Sequence, residues 1–215
     1  MHPVLRLYED VLSDNSAVAL SACARMIFVV HGNLTIDGRT VRDGETWHGE
    51  GNVSLTAGAS GVTYWRWEFV ASATTTAAAA GATASHEKLS APLTTLPPGE
   101  LLLRGDSVAF PPGGCAYLHR HQGPGIRCLI EGGIRIDTHG RATAYGPGGA
   151  WYESGPDPVF AQGAADRPSR FIRVMILPRT LLGKSSFQYV NEEDRAKPKS
   201  QSYQIFVDAP VAASG

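Results

Sequence analysis

Short runs of alternating apolar and polar residues, separated by turn signals, cover most of the chain. In the segment 62–70 (VTYWRWEFV), alternation places Arg66 and Glu68 on one face of a strand and Trp65 and Trp67 on the other. The apolar runs upstream are rich in β-branched residues and are broken by the turn sequences HGN, DGR and RDGE. With 24 glycines and 14 prolines, the chain is predicted to form many short strands joined by tight turns rather than helices.

The two halves of the chain repeat each other at an offset of about 100 residues. Three pairs of segments correspond: 29–39 with 129–141, 43–50 with 147–153, and 64–70 with 171–178. The alignment places Trp47 over Trp151 and Asp37 over Asp137. Such a repeat predicts two copies of one β-rich unit in the same chain.

These patterns divide the chain into four parts. Residues 1–70 form the first predicted domain, and residues 86–180 form the second. Between them, residues 71–85 (ASATTTAAAAGATAS) are rich in alanine and threonine and are predicted to be a flexible linker. Residues 181–215 form a tail, which we expect to pack on its own domain or on a partner subunit.

Composition narrows the classes of partner. A net charge of −1 over 215 residues lacks the basic character expected of a nucleic-acid-binding protein. No apolar run approaches the roughly 20 residues that span a membrane, and the first residues lack the pattern of a secretory signal. The three cysteines, an odd number without zinc-type spacing, indicate free thiols in a reducing compartment. We therefore expect a cytoplasmic protein whose partner is a small-molecule ligand, with no nucleic acid and no membrane.

The segment 113–132 contains the strongest candidate for chemistry, the pair His119 and His121. Residues two apart on a strand point to the same face, so both imidazoles are expected on one side. Two neutral imidazoles on an inward face would supply two ligands of a transition-metal site. The alternative, from the residues alone, is two surface or hydrogen-bonded histidines without a metal.

This segment resembles the first signature of the cupin superfamily. That signature is a glycine, five residues, His-x-His, a glutamate three or four residues on, then six residues and a glycine. Four residues match it: Gly113, His119, His121 and Gly132. The position of the glutamate is Gly125, or Ile126 by the longer count, and neither side chain can bind a metal.

The segment 146–163 resembles the second cupin signature, a glycine, five residues, Pro-x-Gly, two residues and a histidine. Gly148 fits the first glycine, and residues 154–156 (SGP) replace the Pro-x-Gly turn with similar turn chemistry. The histidine is missing, because Pro158 or Val159 takes its place. Two of the four usual cupin ligands are therefore absent.

The resemblance implies an all-β fold with two cupin-like antiparallel β-barrels in tandem, the double-stranded β-helix or jelly roll of a bicupin. In the first barrel, Ala19 and Ser21 match His119 and His121, and Arg25 stands where the glutamate would be. The first barrel is therefore expected to lack metal ligands, and the second to carry the site. The family, together with the long tail, also implies a homodimer.

Glu153 is the best candidate to replace a missing ligand. It precedes the turn whose far end carries the histidine of the second signature in the family. Two histidines and one carboxylate form the open facial arrangement of non-haem Fe(II) centres, and zinc, nickel or manganese would also accept it. We therefore expect His119, His121 and Glu153 to bind a divalent transition metal.

Two further residues are expected to act on the substrate. Strand alternation predicts that Cys115 and Tyr117 share the face of His119, so Tyr117 could serve as hydrogen-bond donor or acid. In the register of the family, Arg127 faces inward on the next strand, where it would bind a substrate carboxylate. The alternative is that Arg127 pairs with Glu153 or points outward.

Two functions of different classes follow. The first is a metal-dependent enzyme of the cupin type, an oxygenase, isomerase or lyase acting on a small polar, anionic substrate. The second is a non-catalytic small-molecule-binding bicupin with a degenerate metal site. A storage or structural role fits the duplication but gives no reason for the histidine pair.

Overall fold

The computed structural model describes residues 2–70, 79 and 81–211, and they form two compact units that divide between Pro92 and Leu93. The sequence placed the start of the second domain at residue 86. Strand Ala84–Pro92, however, pairs with Val4–Leu12 and so belongs to the first unit. The predicted linker, residues 71–85, lies mostly outside the described residues.

Seven antiparallel strands build the sheet of the first unit. In chain order they are β1 (Val4–Leu12), β2 (Ala17–Leu20), β3 (Ala24–Ile36), β4 (Arg39–Arg42), β5 (Thr46–Gly49), β6 (Val53–Val70) and β7 (Ala84–Pro92). The main path runs β4–β3–β6–β1–β7, with β2 added on β6 and β5 on β3. The 18-residue β6 pairs with β1, β2 and β3 and so connects most of the sheet.

Apolar side chains from β2, β3, β4 and β6 fill the interior of the first unit. Leu34, Ile36, Val41 and Leu55 have no exposed surface, because strand alternation turns each of them to the same inner face. On the neighbouring strand β2, the buried positions are Val18 and Leu20. This interior is therefore built by the period-two pattern that the sequence shows.

The structure corrects the alignment of β2 with the histidine pair. Ala19 and Ser21, matched to the histidines from the sequence, are exposed, whereas Val18 and Leu20 face the core. The inward positions are therefore one residue earlier than the alignment placed them. Neither pair can bind a metal through its side chains, so this strand of the first unit lacks metal ligands in either register.

The same tight turn recurs in both units. Asp37 and Gly38 have φ angles of 50° and 77°, and His139 and Gly140 have φ angles of 52° and 70°. Two residues with positive φ between paired strands give the type I′ hairpin, whose twist matches that of its strands. The Asp-Gly pair predicted the first turn, whereas the repeat alignment placed Asp37 over Asp137, which lies in β11 two residues before His139.

Within the described residues, ten strands form the second unit. They are β8 (Leu101–Phe110), β9 (Cys115–His121), β10 (Gly125–Glu131), β11 (Ile134–Thr138), β12 (Arg141–Tyr145), β13 (Ala150–Glu153), β14 (Val159–Gly163), β15 (Ser169–Pro178), β16 (Phe187–Tyr189) and β17 (Ser202–Val211). One sheet has the order β13–β10–β15–β8–β17, and the other has the order β12–β11–β14–β9–β16. We call them the β8 sheet and the β9 sheet.

The inner faces of these two sheets share one apolar core. The β8 sheet contributes residues such as Leu129 and Phe171, and the β9 sheet contributes Ile136 and Ala161. Two antiparallel sheets closed over a common interior are the jelly-roll arrangement of cupins. The prediction of an all-β cupin-type fold is therefore confirmed.

Residues beyond 180 supply an edge strand to each sheet of the second unit. Strand β16 pairs with β9, and β17 pairs with β8 along most of its length. The two helices in the described part of the chain, Arg179–Leu181 and Glu192–Ala196, are short 3-10 turns in the same region. No described helix is long and apolar enough to cross a membrane.

Candidate metal centre

The histidine pair lies inside the second unit. His119 and His121 are 5% and 4% exposed, and their ring centroids are 4.9 Å apart. Their strand, β9, lies between β14 and β16 in the β9 sheet. Both histidines line the cavity between the two sheets, so their rings point into the interior. The ring of Phe187, from β16, stacks on His119 with centroids 4.2 Å apart. The two imidazoles are therefore held together and turned inward.

Glu153 reaches the same point from the opposite sheet. Strand β13 pairs with β10 and sets Glu153 opposite Gly125. Its Oε2 atom lies 3.7 Å from Nε2 of His121, and the ligand atoms of His119, His121 and Glu153 all lie within 4.8 Å of one another. All three side chains are buried. We call this group the His–His–Glu triad.

Hydrogen bonds orient both imidazoles. Nδ1 of His119 lies 2.7 Å from the carbonyl oxygen of Tyr117, an acceptor, so Nδ1 carries the proton and Nε2 keeps its lone pair. Nδ1 of His121 lies 3.3 Å from the hydroxyl of Ser186. Backbone or hydroxyl partners of this kind fix ring orientation in histidines that bind metals through the other nitrogen.

Burial keeps both histidines neutral. Desolvation lowers the pKa of His119 to about 4, although the nearby Glu153 carboxylate opposes the shift. Desolvation, followed by the charge of Arg173, also lowers the pKa of His121 well below its ordinary value. Neutral imidazole is the form that binds metal ions.

Arg127 pairs with the carboxylate of the triad, which is one of the alternatives to substrate binding that the sequence left open. Its Nη2 atom lies 2.7 Å from Oε2 of Glu153, without the alignment of a hydrogen bond. Nη1 donates to the carbonyl oxygen of Gly125, and desolvation lowers the pKa of Arg127 to about 10 against the opposing charge of Glu153. Arg127 is fully buried and faces the site.

The two oxygens of Glu153 differ in their partners. Oε1 accepts a hydrogen bond of 2.8 Å from the indole of Trp151. Oε2 has a charged neighbour but receives no hydrogen bond from the described residues, although it is buried. A buried carboxylate oxygen without a donor beside two neutral imidazoles matches the ligand set of a divalent transition ion. The triad therefore fits such an ion.

Arg173 is a site residue that the sequence analysis missed. It lies on β15, where Nε and Nη2 donate to the two carboxylate oxygens of Asp106 over 2.6 and 2.9 Å. Its remaining nitrogen, Nη1, lies 3.4 Å from Nε2 of His121. The available signal was an arginine inside the apolar run FIRVMIL, facing an aspartate in the strand-like run LLLRGDSV.

Tyr117 does not lie where strand alternation predicted. The pairing of β9 with β14 matches His119 to Val159 but Ala116 to Ala161, so β9 contains one extra residue, a β-bulge. The bulge resets the alternation, and Ala116 lines the cavity in place of Cys115 and Tyr117. The expectation that Cys115 and Tyr117 share the face of the histidines is therefore wrong. The ring of Tyr117 instead lies 4.8 Å from Nζ of Lys197.

The triad opens into a small internal cavity of about 20 Å³ between the two sheets. Apolar side chains from both sheets form most of its wall, together with Arg173, Phe187 and Tyr203. A cavity of about this size holds one water molecule or one ion. The space beside the triad thus suits a metal ion and leaves little room for a further ligand.

Comparison with known proteins gives a fold likeness. No family model matches the chain, and no curated protein sequence matches it. Among solved structures, a deletion variant of Bacillus subtilis oxalate decarboxylase has a TM-score of 0.63 at 13% identity, covering 90% of this chain and 73% of the other. The same enzyme at pH 4.6 gives a TM-score of 0.62 at 12% identity, with coverages of 90% and 72%.

A third structure of that enzyme, from work on its Mn(II) centres, gives a TM-score of 0.64 at 13% identity, with coverages of 90% and 73%. At this identity the likeness concerns the course of the backbone. The chain has the fold of these cupin structures, and its second unit holds a buried group of two histidines and one glutamate that fits a metal ion.

Proposed function

We propose that the protein is a metal-dependent enzyme of the cupin type that acts on a small, polar, anionic substrate. The observation that carries this proposal is the His–His–Glu triad, whose ligand atoms lie within 4.8 Å of one another inside the second unit. The reaction belongs to the oxygenase, isomerase or lyase class. Carboxylate ligands and neutral imidazoles at one buried point are the donor set of mononuclear metal enzymes.

His119, His121 and Glu153 would hold the metal, which is Fe, Zn, Ni or Mn. When bound, such an ion polarises a carbonyl or activates water or dioxygen. Three protein ligands leave coordination positions for the substrate. Manganese gains support from the fold likeness to an enzyme described with Mn(II) centres.

The charges around the triad favour an anionic substrate. Arg127 and Arg173 are balanced by Glu153 and Asp106, and both histidines are neutral. A divalent cation adds two positive charges that these buried residues do not compensate. Uncompensated buried charge is costly, and a carboxylate ligand removes the excess while accepting hydrogen bonds from a guanidinium. The oxalate decarboxylases of like fold act, by name, on such a molecule.

The second candidate is a non-catalytic binding protein with a degenerate metal site. It is favoured by Gly125, which stands where the family has a glutamate, and by the partners of Glu153. Trp151 and Arg127 already engage that carboxylate. In this function the cavity would bind a small anion through Arg173, which lines it, without a metal.

Elemental analysis of protein purified without an affinity tag or added metal tests the proposal. We expect close to one first-row metal ion per chain, and we expect its loss when His119 and His121 are both changed to Ala. The matched control changes His31 and His139, two exposed histidines, to Ala and should keep the metal. Protein that stays metal-free with Fe, Ni, Zn and Mn present would contradict the enzyme and support the binding protein.

The assembly and location of the protein are also proposals. We propose a cytoplasmic location, supported by an odd number of cysteines without zinc-type spacing. We also propose a homodimer, supported by the exposed apolar side chains of Leu182 and Val190 in the region after residue 180. Light scattering coupled to size-exclusion chromatography measures the molar mass. A mass equal to one chain across the concentrations tested would contradict the dimer.

A further inference from the structure

The wall of the cavity beside the triad is buried at almost every position. Of its twelve residues, ten are buried and Phe187 is half-buried. Tyr203 is the exception, with 47% of its surface exposed. Its side chain therefore contacts the cavity on one side and solvent on the other, and it is the most exposed residue of the wall.

Because the cavity is small, a carboxylate compound can enter it only if some part of the wall moves. A volume of about 20 Å³ accommodates one water molecule or ion and no carboxylate compound in addition. Displacing a buried wall residue would open the apolar core of the second unit. Displacing Tyr203 moves a ring that is already half in water, so it is the residue whose movement disturbs the fold least.

The strand that carries Tyr203 lies at the edge of its sheet. Among the described strands, β17 pairs with β8 on one side and has no partner on the other. Its register shifts between Ile205 and Val207, just beyond Tyr203. The hydroxyl of Tyr203 accepts a hydrogen bond only from Gln201, two residues away on an exposed stretch, among the contacts described. No described hydrogen bond connects the Tyr203 hydroxyl to the core.

The ring of Tyr203 covers a cation. The guanidinium carbon of Arg173 lies 5.8 Å from the ring centroid, within the range of a cation–π contact. Asp106 holds Nε and Nη2 of Arg173 on the opposite side, which leaves Nη1 toward His121 and the cavity. A carboxylate entering past Tyr203 would meet this nitrogen first.

We propose that Tyr203 is the gate of the site: its ring and a small carboxylate ligand occupy the space beside Arg173 in turn. The ring shields Arg173 when the site is closed, and outward rotation of the side chain opens the path to the triad. The identity of the ligand as substrate rests on the proposed function, whereas the gate itself is a property of the metal-free protein.

Carbethoxylation of histidines by diethyl pyrocarbonate, read by peptide mass spectrometry on chelator-treated protein, tests the gate. In Tyr203→Ala, we expect His119 and His121 to react about tenfold faster than in the unchanged protein, because local opening is no longer required. Tyr203→Phe keeps the ring and should stay within about twofold, and the larger ring of Tyr203→Trp should slow the reaction. The exposed His139 gives an internal reference for reagent activity.

Ile205→Ala is the matched control, since Ile205 is 54% exposed on the same strand and does not line the cavity. Equal acceleration in Ile205→Ala would show a general loosening of β17 and would overturn the gate. Unchanged rates in Tyr203→Ala would overturn it as well.

Formate binding, measured by calorimetry on the same metal-free proteins, tests the competition for Arg173. Tyr203→Ala should bind formate about tenfold more tightly, because no ring has to leave, while Tyr203→Phe should bind as the unchanged protein does. Weaker formate binding in Tyr203→Ala would contradict the proposal that the ring and the ligand occupy the same space in turn. Neither of these two measurements requires a bound metal. If elemental analysis finds no metal, the proposed enzyme is refuted, and the carbethoxylation and formate measurements still test the gate.

Discussion

The interiors of the two units handle buried charge in opposite ways. In the first unit, Arg25 stands on β3 opposite Gly49 of β5, and in the second, Gly125 stands on β10 opposite Glu153 of β13. The strand positions correspond, but the charged and small residues are exchanged. The first unit therefore places a cation of its own where the second leaves room and offers a carboxylate.

Arg25 is held as a built-in cation. Nε contacts Oε1 of Glu68 at 3.2 Å, and the two terminal nitrogens donate to the carbonyl oxygens of Gly51 and Ser21. Arg66 shares the same carboxylate oxygen at 2.6 Å and pairs with Asp10 at 2.7 Å. Four buried charged side chains thus pair with one another inside the first unit, which favours a structural role for it. The second unit pairs Arg173 with Asp106, and no described hydrogen bond occupies Nε2 of His119.

The largest expected effect is on the first unit. Changing Glu68 to Ala leaves Arg25 without its carboxylate and Arg66 with one of two, and should cost about 3–5 kcal/mol in the free energy of unfolding. Urea denaturation followed by tryptophan fluorescence measures it. The control, Glu131→Ala, removes an exposed partner of Arg170 and should cost less than about 1 kcal/mol. Equal losses would break the assignment of Glu68 to a structural network.

A smaller effect is expected when the glutamate of the cupin signature is introduced at position 125. A Cβ added at Gly125 would lie 2.5 Å from the backbone oxygen of Val174 and 3.0 Å from Nη1 of Arg127. Gly125→Glu should therefore destabilise the protein by about 1–3 kcal/mol and gain no metal. Gly133→Glu is the control, because the nearest atom to its Cβ would lie 3.8 Å away. Tighter metal binding by Gly125→Glu without loss of stability would contradict this account of the missing ligand.

The ligand-binding role of Arg127 predicts a still smaller change. Arg127→Ala should weaken formate binding about tenfold, or about 1.4 kcal/mol, and leave binding of the neutral analogue formamide unchanged. Calorimetry measures both, with the exposed Arg135→Ala as control. Equal loss for the two ligands would assign Arg127 to the packing of the site rather than to charge recognition.

The smallest expected effect reports on the electrostatics of the first unit. Burial, and next the charge of Glu68, raise the pKa of Cys23 to about 11, so its thiolate forms only at strongly alkaline pH. Removing that negative charge in Glu68→Gln favours the thiolate and should lower the pKa. Iodoacetamide labelling across pH, read on the Cys23 peptide with Cys115 as reference, detects the shift. A pKa that stays the same would place Glu68 outside the field felt by Cys23.

The sequence could predict those features that depend on local pattern. Alternation and turn residues gave the strands and the Asp37–Gly38 hairpin, and the spacing of His119 and His121 gave two imidazoles on one face. In the strand after the Asp37–Gly38 turn, the buried position is Val41, so local preference and packing agree there. The cupin-type fold and the inward histidines could therefore be predicted.

Features that depend on pairing between distant strands could not be predicted in this way. The partner of Arg173 is Asp106, 67 residues away, and no local pattern connects them. The bulge in β9 arises from its register with β14, so alternation counted back from His119 placed Tyr117 on the wrong face. Arg127 could be given two orientations from the sequence, and only the position of β13 decides between them.

The extra residue in β9 also makes the register of the histidines independent of the register at the start of the strand. Because the strand resets there, an insertion or deletion before Ala116 shifts only the edge near Cys115, while the imidazoles keep their aim. We therefore expect a change of loop length before Cys115 to disturb the two imidazoles less than a deletion after Leu118. A design that transfers the histidine pair to another jelly-roll protein should include the β-bulge as well as the two histidines.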